Sequence, residues 1–239
     1  MSLPPSLELS AASQTRAPDF DRLAHVYRWM EAFTFGPYLA RCRCAFLSGI
    51  SNRRHALVLG DGDGRFTAQL LRTNPIIQID AVDASRAMLQ TLLHRAAENA
   101  SRVRCHHSDA RSWLPPDPPY DLVATHFFLD CLTTDEVHAL AAALRSALSP
   151  SAVWIVSEFA VPESQFGRLA ARPLIGLLYR GFGLLTGLSI RRLPDHAIAL
   201  REAGFRLNRR RAFLYGLLVS EIWSREDYSS PESRLLQTC

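Results

Sequence analysis

The stretch "LVLGDGDGRF", residues 57–66, ends an apolar run in Gly60, Gly62 and Gly64, with Asp61 and Asp63 between them. A glycine turn behind a strand lets the backbone approach a ligand closely, and most such turns cradle phosphates. Two carboxylates oppose a phosphate, so the expected ligand presents a cationic or zwitterionic end. Asp83 follows Gly64 by nineteen residues, the place where a carboxylate can accept both hydroxyls of a ribose. Asp109, in "HSDA", suits the edge of a base. Together these residues describe a nucleoside site with no phosphate to neutralise. The alternatives are local: Asp83 also suits a helix cap, and Asp109 a turn.

His126 is the candidate for acid–base work, because an imidazole can take a proton from a hydroxyl nucleophile. A residue in that place equally serves to bound a pocket. Asp130 and Glu158 are secondary candidates. Tyr27 and Tyr179 offer aromatic faces to a cation, although packing is the commoner fate of such side chains.

These residues meet only if strands and helices alternate around them. A strand ending at Leu59 precedes a helix from about Gly64 to Thr73. Ile76 to Asp83 is a second strand, and Ser85 caps a helix with its stripe at Met88, Leu89, Leu92 and Leu93. "RVRCHH" is a third strand, and Tyr120 to Phe128 reads as a buried parallel one. Thr133 and Glu136 form a capping box for an amphipathic helix that Ser149-Pro150 stops. "AVWIVSEF" is the fifth strand, a helix capped by Asp195 ends at Gly204, and 206–214 with 216–223 form a hairpin. The rhythm predicts an α/β, Rossmann-like open sheet, mostly parallel with an antiparallel C-terminal hairpin strand, and helices on both faces. One domain over 20–225 is expected. It includes a helical segment at 20–50, broken at Gly36-Pro37, and an insertion at 163–192, and it is flanked by a loose arm at 1–19 and a tail at 226–239.

Composition sets the remaining bounds. Of 239 residues, 48% are hydrophobic and 21% charged, as in ordinary globular proteins. The net charge of +4 comes entirely from arginine, with no lysine. Its densest run, Asn208 to Arg211, reads as a solvated edge before it reads as a nucleic-acid or membrane patch. Five cysteines without a CxxC pair predict free thiols in a reducing cytoplasm. No metal is expected: Cys105, His106 and His107 are consecutive, so on a strand they point to alternating faces.

The glycine turn, Asp83, Asp109 before alanine, "YDLV" opening strand four and "ALREAGF" before the terminal hairpin occur in an order that resembles class I S-adenosylmethionine-dependent methyltransferases over roughly residues 20–225. The resemblance implies S-adenosyl-L-methionine as cofactor. Gly60, Gly62 and Gly64 would pack on its methionine part, Asp83 would hold the ribose, Asp109 the adenine amino group, and Ala84 and Ala110 would border the adenine. The family usually places an acid two residues before the first glycine. This chain has Val58 there, and Asp61 would take over part of that role. Residues 20–36 are similar to the N-terminal segment of ubiquinone/menaquinone-type methyltransferases. A small lipophilic or aromatic acceptor is expected, and the insertion at 163–192, apolar residues among arginines, reads either as a lid for it, with peripheral membrane contact as one option, or as a helix that packs on the sheet. Two alternatives stand beside this one. A nicotinamide-dependent oxidoreductase also wants an acid after strand two, but its GxGxxG fingerprint meets Arg65 at the third glycine. A non-catalytic methyltransferase-like binding module is the other. A nucleic-acid substrate is not expected, because "THFFLD" stands where base-modifying relatives carry Asn/Asp-Pro-Pro-aromatic.

Overall fold

The computed structural model describes residues 36–116, 119–162 and 194–226. The expected arm, the insertion at 163–192, Tyr27, Tyr179 and nearly all of the tail lie outside them. Helix α1 spans Gly36–Arg43, and the part of the expected segment at 20–50 that precedes it lies outside the described residues. Then follow β1 (His55–Leu59), α2 (Arg65–Thr73), β2 (Gln78–Asp83), α3 (Arg86–Ala96), β3 (Val103–His107) and β4 (Tyr120–His126). The chain continues through α4 (Thr134–Arg145), β5 (Leu148–Phe159), α5 (His196–Glu202), β6 (Phe205–Phe213) and β7 (Leu218–Arg225). The strands form one sheet in the order β3-β2-β1-β4-β5-β7-β6. β1 to β5 are mutually parallel, and β7 and β6 run antiparallel at one edge.

Side chains alternate between the two sheet faces. On one face Ala56, Val58, Ile79, Ala81, Leu122 and Ala124 meet Phe66, Leu70 and Leu71 of α2 and Leu92 of α3. On the other, Leu57, Leu59, Val123, Trp154 and Trp223 meet Val137, Leu140, Ala141 and Leu144 of α4 and Leu200 of α5. The caps read from sequence are present. Ser85 Oγ accepts from Met88 N, Thr133 and Glu136 form a reciprocal capping box, and Asp195 accepts from Ile198 N.

The hairpin strands shift by one or two residues, and three further boundaries differ from expectation, each for a local reason. β2 starts at Gln78, because Asn74 turns the chain by accepting from Ile76 N, and Ile76 is left exposed. β4 stops at His126, because Phe127 adopts a φ of 55°. β5 starts at Leu148, so Ser149-Pro150 lies within its irregular first residues, beside a register shift in β4. Proline is tolerated at such an interruption.

The sheet is also tied by a charged cluster that the alternation of strands did not reveal. Asp80, fully buried in the middle of β2, accepts from His106 Nε2 at 2.7 Å, from Arg104 and Tyr120 Oη at 2.9 Å each, and from His55 Nε2 at 3.0 Å. These partners come from β3, β4 and β1, so one carboxylate joins four strands. Burial pushes its carboxyl up, but the four donors outweigh that and bring it down to about 2. His106 is thereby placed structurally. We predict that Asp80→Ala, which strands a set of donors at a buried point, lowers stability by about 3 kcal/mol or more, measured by urea unfolding.

Candidate functional site

β1 lies between β2 and β4, and the chain leaves it first to one side and later to the other. This reversal is the switch point at which open α/β sheets hold ligands, beyond the carboxyl ends of the strands. The glycine turn sits there, fastened to the next strand by Gly60 N donating to Val82 O at 2.9 Å.

The two aspartates of the turn are employed inward. Asp61 Oδ2 accepts from Thr67 N at 2.8 Å and Oδ1 from Phe66 N at 3.4 Å, closing the N-terminus of α2. Burial raises its carboxyl, while the bonds from Thr67 and the nearby Arg43 guanidinium act against that rise. Asp63 pairs with Arg95 at 2.8 Å and with Arg65 at 3.1 Å. A dinucleotide would set its pyrophosphate on the amides that open this helix. Here a carboxylate already holds them.

The three glycines differ in what they face. A Cβ on Gly60 would strike the Phe128 ring, and one on Gly64 would lie 2.7 Å from Leu92 Cα. Both are therefore packing positions between the turn and its neighbours. Gly62, at a φ of 57°, meets nothing nearer than Met88 Sδ at 4.0 Å. It is the glycine of the turn that fronts open space.

Asp83 ends β2 beside it. Its Oδ1 accepts from Ser85 N at 2.8 Å. Burial raises the carboxyl to about 6 against the bonds from Ser85 and Gly62, and Asp61 adds to the rise. Ala84 is exposed, with its carbonyl taking His107 Nε2 at 3.0 Å, whereas Ala110 is buried in the core. Asp109 is more committed than its motif suggested. Arg111 donates to it from the backbone N at 2.9 Å, from Nε at 3.0 Å to each oxygen, and from Nη2 at 2.6 Å. Arg111 also reaches Glu136 at 2.9 Å. These bonds lower the Asp109 carboxyl, and an adenine amino group would share it with a guanidinium.

His126 is buried on the α2 side of the sheet, its ring 4.2 Å from that of Phe66. Among the described residues neither ring nitrogen has a hydrogen-bond partner. Burial, and next the Arg43 guanidinium, push its pKa down to about 3. The imidazole is thus neutral near pH 7 and a weak proton acceptor. The secondary candidates are tuned the other way. Burial raises Asp130 to about 6, and raises Glu158 well above the usual carboxylate range, with the Asp130 charge adding to the Glu158 shift. Glu158 Oε1 accepts from Phe128 N at 3.1 Å and Leu129 N at 2.8 Å, holding the turn after β4, while its buried Oε2 has no partner. Among the described residues no group of histidine, cysteine and acidic side chains is placed to hold a metal ion.

Residues 56–151 match a family model described as a methyltransferase domain. The fold is that of the class I S-adenosylmethionine-dependent methyltransferases. Solved structures with this methyltransferase fold include mitomycin 7-O-methyltransferase MmcR, 16% identical, with a TM-score of 0.65 over 89% of this chain and 62% of that one. A putative O-methyltransferase from Nostoc punctiforme is 17% identical, with a TM-score of 0.65 over 90% of this chain and 63% of that one. The S-adenosylmethionine-dependent methyltransferase SibL is 22% identical, with a TM-score of 0.60 over 88% and 63%. The chain spans about three fifths of the length of these proteins. No curated protein sequence matches it. The cofactor that the methyltransferase domain and fold imply is S-adenosylmethionine. The residues at the switch point fit it: an open glycine at positive φ, a carboxylate at the end of β2, and no free helix N-terminus asking for a phosphate.

The raised Asp83 carboxyl has a measurable consequence. With a folded pKa of about 6 above its unfolded value, its contribution is fully present below about pH 4 and is lost as pH rises through 6. Asp83→Asn removes that loss. It is expected to stabilise the ligand-free protein by about 1–3 kcal/mol at pH 7.5 and by almost nothing at pH 4, as read from urea unfolding at the two pH values.

Proposed function

We propose that the chain transfers a methyl group from S-adenosylmethionine to a small, lipophilic or aromatic acceptor. The observation that carries this reading is the carboxylate-capped glycine turn at the switch point, opening only over Gly62 and flanked by Asp83. In this proposal Gly62 and its turn contact the methionine part, Asp83 takes the ribose hydroxyls, and Asp109, sharing its charge with Arg111, stands at the adenine edge. Gly60 and Gly64 shape the turn from behind, Ala84 lies along the base, and Ala110 supports it from the core. Asp61 contributes negative charge near the cofactor's amine while capping α2. The O-methyltransferases among the structural neighbours favour oxygen as the acceptor atom.

When bound, the cofactor supplies an electrophilic methyl group on a sulfonium. Because the positive charge on sulfur fades as the methyl leaves, strong anionic stabilisation of that charge would slow transfer. The protein's part is alignment and exclusion of water. If the acceptor is a hydroxyl, its proton goes to a base, and Asp130, raised to about 6, is better matched to that task near neutral pH than His126 at about 3. His126, with two unpartnered nitrogens, is then a wall that can exchange one hydrogen bond. The insertion at 163–192 and the N-terminal segment at 20–50 are proposed to complete the acceptor side.

The alternative that changes the chemistry is a nicotinamide-dependent oxidoreductase, and Asp61 on the α2 amides argues against it. Calorimetric titration with S-adenosylmethionine, S-adenosylhomocysteine and NADH separates the two. We expect the first two to bind, NADH not to bind, and Asp83→Ala to weaken the sulfur ligands about tenfold or more. Binding of NADH alone would replace this reading with the oxidoreductase.

A further inference from the structure

A carboxyl that takes a proton in a crevice must give it up before the next turnover. Asp130 is badly placed to do so alone. Cys131 Sγ donates to its Oδ1 at 3.6 Å, and Glu158, which feels its charge, is fully buried. His196, which belongs to none of the sequence motifs, opens α5 on the same side of the sheet.

Independent contacts bring the two residues together. Val156 of β5 pairs with Glu221 of β7, and Glu158 lies two residues beyond Val156. Alternation therefore puts Glu158 and Glu221 on one face of the sheet, a strand diagonal apart. Glu158 holds the amides of Phe128 and Leu129, so the turn that carries Asp130 lies over that face. Glu221 takes His196 Nε2 at 3.0 Å on the same face. The start of α5 is also tied to the start of α4, where Asp195 N donates to Thr134 Oγ1 at 3.0 Å, four residues past Asp130. Burial raises the Asp130 carboxyl, and the Cys131 thiol and then the His196 charge work against that rise.

Glu221 fixes the state of the ring. It is 2% exposed, accepts from Trp223 Nε1 at 2.9 Å and lies 3.5 Å from Arg210 Nε. Burial pushes its carboxyl up, but His196, Trp223 and Arg210 outweigh that and bring it below its ordinary value. An ionised carboxylate only accepts, so Nε2 is the protonated nitrogen of the neutral His196 ring and Nδ1 is its acceptor. Among the described residues none bonds Nδ1. The His196 side chain is 13% exposed and so reaches water, which Glu221 does not.

We infer that His196, oriented by Glu221, is the outlet for the proton that Asp130 takes from a hydroxyl acceptor. One methyl arrives on the acceptor oxygen and one proton leaves it, with the O–H electron pair staying on oxygen. The proton goes to Asp130, then to His196 Nδ1, and from that nitrogen to water. Glu221 stabilises the imidazolium formed on the way. His196 acts through Asp130 and is a positioning residue. This inference rests on the methyl-transfer reading above, with Asp130 as its base.

The test follows protons on the full chain and needs no acceptor. Nitrogen-15 NMR of the native protein, with His196 assigned through its backbone, is expected to show the neutral ring protonated on Nε2 and bare on Nδ1. Carbon-13 NMR follows the Asp130 carboxyl, identified by its loss in Asp130→Asn, through its midpoint of about 6. His196→Gln is expected to move that midpoint up by about 0.5 or more, while S-adenosylhomocysteine binds within about twofold of native by calorimetry. A neutral ring protonated on Nδ1 overturns the inference without any variant, and so does not depend on His196→Gln folding. An unmoved Asp130 midpoint in a folded His196→Gln protein overturns it too, leaving His196 a packing residue. A folded variant that loses S-adenosylhomocysteine places His196 in the cofactor site and also overturns the outlet. Failure of the native protein to bind S-adenosylhomocysteine overturns the methyl-transfer reading itself, whatever the ring shows, and this inference with it.

Discussion

The carboxylate of Asp61 closes the N-terminus of α2 from inside the glycine turn, and the character of the site follows from that contact. A helix that starts at the carboxyl end of a parallel strand offers unpaired amides and the positive end of its dipole. In most such folds a phosphate takes them. Here Thr67 N and Phe66 N are satisfied by a side chain five to six residues upstream, so the same architecture makes no demand for a phosphate. The bond also fixes the turn, since Gly60 is tied to Val82 and Asp61 is tied to α2. Gly62 is left between two anchored neighbours, where a Cβ would meet nothing nearer than Met88 Sδ at 4.0 Å.

Around that point the structure separates rigid parts from adjustable ones. The Asp80 cluster fastens β1, β2, β3 and β4 on the face opposite α2, and the Asp63–Arg95 pair fastens the turn to α3. The ends of β4 and β5 are held by Glu158, which spans to the amides of Phe128 and Leu129. The carboxylates at and just beyond the strand ends, Asp83, Asp130 and Glu158, are all raised by burial. Asp80, used as a structural tie, is lowered by its donors, as is Glu221, which takes His196 Nε2 at 3.0 Å and Trp223 Nε1 at 2.9 Å. Perturbation toward neutrality at the strand ends is what a site for a positively charged ligand shows before the ligand arrives.

Much of this was legible from sequence. Glycine spacing, the capping box at Thr133 and Glu136, the cap at Ser85 and the 2- and 3.6-residue periods placed nearly every described element, because those signals are local. The positions of Gly62 in the turn and of Asp83 at the end of β2 were legible for the same reason. What sequence did not show depends on contacts between distant segments. Asp80 reads as one polar residue in an apolar strand, and only the register of three other strands reveals its four donors. Arg111 converts Asp109 from an isolated acid into half of an ion pair. Gly60 and Gly64 have the residue type of cofactor contacts, but Phe128 and Leu92 come from elsewhere in the chain to cover them. His126 has the right place for a base, yet burial under Phe66 and the charge of Arg43 lower its basicity. Neither effect leaves a trace in the local sequence.

The central claim is that the nucleoside part of the cofactor lies against the capped turn and the ends of β2 and β3. Amide hydrogen exchange with and without S-adenosylhomocysteine tests it directly, peptide by peptide. The account predicts new protection concentrated in peptides covering residues 60–67, 83–89 and 109–113, with none along the arginine-rich edge strand β6. Protection confined to other segments, with the glycine turn exchanging as before, would contradict it.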